Sequence, residues 1–183
     1  RNKGKKAVVV GSGPAGFFAA FVLQKAGIQT TIIERGTEVH KRTSGIREFE
    51  KTGVFNPVSN YAFGEGGAGT FSDGKLTSRS KHISEERQFI LSSYILAGAP
   101  EEIGYMAHPH LGSDNLRTIV RNLRDQFINI GGSVLFETLM EDLKIKNGRV
   151  VEAITPSGVI EADYFIIAPG HSAFETYRML IRR

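Results

Sequence analysis

Cysteine is missing from all 183 residues. Its absence excludes disulfides, thiolate metal ligands and a redox-active thiol pair, and it fits a cytoplasmic protein. Long apolar runs are missing too: none reaches the roughly 18 residues that a membrane span needs. The basic start, Arg1-Asn2-Lys3-Gly4-Lys5-Lys6, leads into an apolar stretch that glycines interrupt and that has no cleavage pattern, so it does not read as a secretory signal. A basic excess is also missing from the body of the chain, despite a pI of 9.4. Setting aside the seven basic residues at positions 1–6 and 178–183 leaves 16 Lys and Arg against 19 Asp and Glu. Nucleic acid is therefore not an expected partner, nor is a membrane. With 40% hydrophobic residues the chain can bury one core.

What the chain does have is concentrated in residues 7–34. Ala7-Val8-Val9-Val10 reads as a strand buried on both faces and runs into Gly11-Ser12-Gly13-Pro14-Ala15-Gly16. Gly11 permits the tight strand-to-helix turn, Gly13 removes a Cβ that would hold a pyrophosphate off the backbone, and Gly16 lets helix and strand pack closely. Pro14 gives up only an amide that the first helical turn leaves unpaired. A helix over residues 15–26 ends at Gly27, and its N-terminus favours an anion. Thr30-Thr31-Ile32-Ile33 is the next strand, with Glu34 at its carboxyl end, 18 positions after Gly16. There an acid accepts hydrogen bonds from both hydroxyls of an adenosine ribose and repels a 2′-phosphate.

Residues 35–42 read as a positively charged loop beside this nucleotide site. Arg35 is placed to stack on or border the adenine and Arg42 to reach the pyrophosphate, with a solvated surface loop as the plain alternative. From about 36 to 132 the pattern is that of a structured insertion, because a simple crossover uses far fewer residues. Its densest part, residues 63–75, holds five glycines in thirteen positions. Composition alone suggests a flexible loop. Phe63, Phe71, Asp73 and Lys75 among those glycines point instead to close approach of backbone, Gly67 included, to a flat ligand. Residues 84–97 read as a helix capped by Ser84. Leu116, Ile119, Val120, Leu123, Phe127 and Ile130 form the apolar stripe of another, capped by Ser113 or Asp114 and stopped by Gly131-Gly132. His108-Pro109-His110 has no cysteine and no carboxylate at ligand spacing, so no metal site is expected.

In the last third, residues 133–136 form a strand. Three short β segments follow, at about 140–146, 149–155 and 158–161, separated by Asn147-Gly148 and Pro156-Ser157-Gly158. This is an antiparallel meander. Tyr164-Phe165-Ile166-Ile167-Ala168 is again a buried strand, closed by Pro169-Gly170. Ser172 to Glu175 reads as a capping box, and Phe174, Tyr177 and Ile181 as the apolar face of a final helix.

A parallel strand pair joined through a meander is not explained by local pattern. The Gly11–Gly16 fingerprint, Glu34-Arg35-Gly36, the meander and the closing strand into Gly170 resemble the FAD-binding domain of the glutathione-reductase-like flavoproteins. Within that superfamily, residues 63–76, Gly98-Ala99-Pro100, Pro109-His110 and Gly170-His171-Ser172-Ala173 resemble bacterial FAD-dependent, NAD(FAD)-utilising dehydrogenases. The resemblance implies an α/β, Rossmann-like FAD-binding domain with a parallel sheet, a β-meander crossover and a long insertion, occupying 1–183. It also implies that Gly11, Ser12, Gly13, Ala15 and Gly16 contact the pyrophosphate and Glu34 the ribose. Leu139 or Met140 would meet the adenine through backbone, Gly170 would lie near the cofactor, and Ser72, Asp73 and Lys75 would lie toward the isoalloxazine. Pro169 stands where that superfamily often has threonine. Its members are longer, so the chain is expected to be a fragment.

The resulting expectation is an FAD-dependent oxidoreductase that moves hydride or electrons between a nicotinamide donor, NAD(P)H, or a small organic substrate and an acceptor. Lys75 is the candidate for stabilising charge on the reduced ring, and His171 a candidate hydrogen-bonding group at the mouth of the closing strand. Two alternatives stand beside this: an NAD-binding dehydrogenase domain, and a non-catalytic FAD- or nucleotide-binding module.

Overall fold

The computed structural model describes residues 4–76, 82–106 and 111–183. His108-Pro109-His110 and the first three residues lie outside this set. A four-stranded, all-parallel sheet organises the chain. Its strands are β1 (Lys6–Val10), β2 (Gln29–Ile33), β3 (Ser133–Leu135) and β7 (Tyr164–Ile167), in the order β3-β2-β1-β7. β1 is central, and Ala7 to Val10 are all buried. Alternation sends Val9 and Ile32 to one face and Val8, Val10 and Ile33 to the other, so the sheet carries a core on each side.

On the first face lie α1 (Pro14–Lys25), α3 (Ser84–Leu96) and α4 (Ser113–Asn129), which pack Phe17, Phe18, Phe21, Leu91, Tyr94, Ile119, Leu123 and Phe127 together. On the second lie the meander, β4 (Asp142–Lys146), β5 (Arg149–Thr155) and β6 (Gly158–Glu161), and the last helix α5 (Phe174–Arg182). They contribute Met140, Leu143, Ala153 and Met179. The meander is a separate antiparallel sheet in the order β4-β5-β6. Among the described residues no helix is long and apolar enough to cross a membrane.

Several local expectations are corrected. The stretch read as a loop over 35–42 becomes helical halfway: α2 runs Val39–Thr52, and the Glu38 carboxylate caps it by accepting from the amides of His40 and Lys41. Ser84 does not cap α3, because the first helical bond runs from the Arg87 amide to the Ile83 carbonyl, which makes Ile83 the cap. For the same reason Gly112 caps α4, in place of Ser113 or Asp114.

β7 is an edge strand, half-buried at Phe165 to Ile167 and exposed at Tyr164, where burial throughout was expected. The capping box at Ser172 does not form. Ala173 is the cap, and Glu175 turns instead to Arg35. That rotation buries Thr176 and Met179 and leaves Phe174, Tyr177 and Ile181 at 57%, 41% and 84% exposure. The face expected to be the core side of α5 is its outer side.

Candidate functional site

The carboxyl ends of β1, β2 and β7 meet at one edge of the sheet, where loops replace strands and backbone groups are left to bind. Gly11 turns sharply there (φ +100°), and a Cβ on it would sit 2.1 Å from the Ala168 carbonyl oxygen that closes β7. A Cβ on Gly16 would sit 2.0 Å from the Gly11 oxygen. Both positions demand glycine for packing. Gly13 differs: its φ is −66°, open to any residue, and its missing Cβ faces the Gly67 Cα at 3.6 Å. The amides of Ala15 and Gly16, in the first turn of α1, have no partner within the helix and stand beside this gap with the positive end of the dipole.

Gly67 belongs to a loop that forms the opposite wall. The Gly66 amide donates to the Ser12 carbonyl at 3.2 Å, and the Gly64 amide to Glu34 Oε1 at 3.1 Å. The loop is held from behind by Arg42, whose guanidinium is fully buried and donates to the carbonyls of Asn60, Tyr61, Gly64, Glu65 and Gly67 at 2.7–3.3 Å. Burial lowers its pKa to about 10, with Glu34 and Glu65 opposing that shift, and it remains charged at neutral pH. The expected contact of Arg42 with pyrophosphate is thus corrected. Its donors are spent on the loop, and no part of it reaches solvent.

Glu34, 5% exposed, is the junction of the site. Its Oε2 accepts from the Ser12 amide (2.9 Å) and hydroxyl (2.8 Å), and its Oε1 from the amides of Gly36 (2.8 Å) and Gly64 (3.1 Å). Two hollows share it. One, of about 100 Å³, lies between Gly11, Gly13, Phe63, Gly67, Pro169 and His171. The other, of about 20 Å³, lies between Arg35, Thr138, Leu139, Pro169 and Thr176. These four donors fill the acceptor sites of the carboxylate, so a ribose hydroxyl reaches Glu34 only by displacing one of them, the rotatable Ser12 hydroxyl being the least fixed.

Replacing Glu34 by glutamine sets an NH₂ against N–H donors on one side of this junction. Each charged hydrogen bond lost costs about 1.5–3 kcal/mol. The Glu34→Gln chain is expected to lose stability and nucleotide affinity together, in denaturant unfolding and in equilibrium titration. Unchanged values in both would remove Glu34 from the centre of the site.

The remaining expected residues divide. Leu139 lines the second hollow, while Met140 is buried in the core under the meander. Arg35 neighbours that hollow, but its guanidinium lies 3.9 Å over the Phe63 ring and pairs with Glu175 at 3.2 Å, so it is already engaged. His171 stands exposed at the rim, edge-on to Phe174, next to Gly170. Ser72, Asp73 and Lys75 do not line either hollow. Ser72 donates to the Gly69 carbonyl, and Lys75 pairs with Asp73 at 2.9 Å with both side chains more than half exposed. The contribution of Gly64 to Glu34 was not foreseen, although Gly64 lies inside the glycine stretch that the sequence singles out.

Several known proteins are similar to this chain. A family model described as an FAD binding domain matches residues 5–59, the segment carrying β1, α1, β2 and Glu34. An uncharacterized protein of Clostridium beijerinckii is 43% identical over 175 residues, which are 96% of this chain and 32% of that one. The chain thus spans about a third of the length of the curated relative it matches. Among solved structures, THI4 of Thermovibrio ammonificans shares the fold with a TM-score of 0.61 at 20% identity, over 98% of this chain and 62% of that one. L-proline dehydrogenase from P. horikoshii does so with a TM-score of 0.51 at 13% identity, over 98% and 56%. The fold is α/β and Rossmann-like, as expected from the sequence.

Proposed function

We propose that this chain is the FAD-binding part of a larger flavoprotein oxidoreductase. The observation that carries the reading is the pair of hollows meeting at Glu34, one of them walled by Gly13 and Gly67. The first hollow would offer backbone amides to a pyrophosphate, and a base would enter the second, beside Leu139, once the Arg35–Glu175 pair yields. In this reading Ser12, Gly13, Ala15 and Gly16 offer amides to the pyrophosphate, and Glu34 holds the ribose. Gly170 and His171 border the path toward the flavin ring. When bound, FAD supplies the two-electron redox chemistry, and the protein contributes position and electrostatics. A nicotinamide donor, NAD(P)H, or a small organic substrate completes the reaction in a cytoplasmic setting. Lys75 has weaker support as the charge-stabilising group than His171 has at the rim.

A glutamate at the end of β2 suits any adenosine ribose, which keeps NAD as the second reading of the same site. Titration of the purified chain with FAD, NAD and NADP, followed by flavin fluorescence and by competition, tests the choice. Saturable FAD binding that NAD does not displace supports the reading. NAD binding in the absence of FAD binding overturns it.

A further inference from the structure

Directly behind the glycine wall lies the least satisfied atom of the described residues. Glu65 is 3% exposed, and its Oε1 is buried without a hydrogen-bond partner. The other oxygen, Oε2, accepts from the Val39 amide at 2.7 Å and from Arg124 at 3.1 Å. Glu65 borders a small, mostly apolar pocket, partly open to the surface, together with Ser12, Phe17, Tyr94, Arg124 and Phe136. An ionised carboxylate oxygen facing such a space is costly, and a proton relieves that cost.

The charges around it lean the same way. Arg124 of α4 is shared among Glu65, Glu38 at 3.6 Å and its own neighbour Asp125 at 3.5 Å, so one guanidinium serves three carboxylates. Arg42 of α2 is the second cation near the group, but it is committed to loop carbonyls and also faces Glu34. From α3 the cavity receives the Tyr94 phenol, whose pKa burial raises. Burial likewise pushes the Glu65 carboxyl up, against the Val39 amide and Arg124, with Glu38 and Asp125 adding to the rise.

We propose that Glu65 takes up a proton when the pyrophosphate of a dinucleotide binds in the hollow that Gly13 and Gly67 line with the end of β7, so that cofactor binding and protonation of this buried carboxyl are linked. The inference rests on the FAD reading above. Gly67, two residues after Glu65, lines the hollow that the two phosphate charges enter, while Gly66 lies on the Glu65 side of the loop. Those charges come to lie on the far side of one loop from a carboxylate that is already poorly compensated. The sign follows: a proton on Glu65 removes a repulsion, so FAD affinity falls by up to about tenfold per pH unit as pH rises between the free and the FAD-bound pKa of this carboxyl, and is level below and above that interval. FAD is the suitable probe because its phosphates do not titrate near neutrality.

The test is calorimetric titration of the whole chain with FAD in buffers of different ionisation enthalpy, over a series of pH values. The wild-type heat is expected to depend on buffer in the sense of proton uptake. Glu65→Gln is expected to bind FAD with buffer-independent heat and a flat pH profile, while His171→Gln, which removes the imidazole at the rim, keeps the uptake. An infrared difference spectrum of the wild-type chain, FAD-bound minus free, should gain the carbonyl band of a buried carboxylic acid. Uptake that survives in Glu65→Gln, uptake lost in His171→Gln, or no added carbonyl band overturns the proposal. Binding with no proton uptake at any pH sinks the linkage alone, whereas no binding of FAD sinks the FAD reading together with it.

Discussion

Replacing Gly13 by alanine is expected to leave the chain folded and to lower its FAD affinity about ten- to a hundredfold, the loss of one charged backbone-to-phosphate hydrogen bond. The fold tolerates the change because the backbone at Gly13 is extended (φ −66°, ψ 174°) and an added Cβ meets nothing closer than the Gly67 Cα at 3.6 Å. That Cβ occupies the space through which a phosphate approaches the amides of α1. The two neighbouring glycines are the controls. At Gly11 and Gly16 a Cβ would lie 2.1 and 2.0 Å from backbone oxygens, so alanine there disrupts the turn itself. Unfolding and binding measurements on Gly13→Ala separate the two effects. A folded variant with full affinity would place the pyrophosphate elsewhere.

The second large effect is on stability. Arg42→Ala removes the donors that serve five buried or half-buried carbonyls. Each carbonyl left unsatisfied costs about 1–3 kcal/mol. Even with water entering, the loss is expected to exceed about 4 kcal/mol, a large share of the roughly 5–15 kcal/mol that holds a domain folded. Arg42→Lys keeps the charge but carries at most three donors, so it recovers only part of the loss. Denaturant unfolding measures both. A loss below about 1 kcal/mol in Arg42→Ala would mean that the loop around Gly64–Gly67 does not depend on the guanidinium.

Arg42 also explains where sequence reasoning stops. A buried arginine that binds carbonyls and one that reaches for phosphate have the same local sequence, and only the folded position of residues 60–67 distinguishes them. The same missing information made residues 63–75 ambiguous between a flexible linker and a fixed wall: Gly64 to Gly67 are held by Arg42 of α2 from 22 or more positions away. The parallel strands and the turn between β1 and α1 were legible because their signals are local. A β-branched run, three spaced glycines and an acid at a strand end each have one physical use.

The meander was legible for a similar reason, through its Asn147-Gly148 and Pro156-Ser157-Gly158 turns, and β5 and β6 fall where those turns set them. α5 was misjudged because the spacing of Phe174, Tyr177 and Ile181 defines a face without saying what lies opposite. The buried face is instead the one that carries Met179 and Thr176, with Leu180 packed against the same core. Lys75 was singled out by its company of glycines and aromatics, yet its ion pair with Asp73 is local and exposed.

The central claim is that the dinucleotide lies between the turn at Gly11–Gly16 and the loop around Gly64–Gly67, with Glu34 at its middle. Amide hydrogen–deuterium exchange of the chain with and without saturating FAD tests this most directly. The account predicts slowed exchange in residues 11–16 and 62–69 and around Leu139, with residues 84–104 unchanged. Bound FAD that protects neither of the first two segments, or that protects residues 84–104 instead, would contradict it.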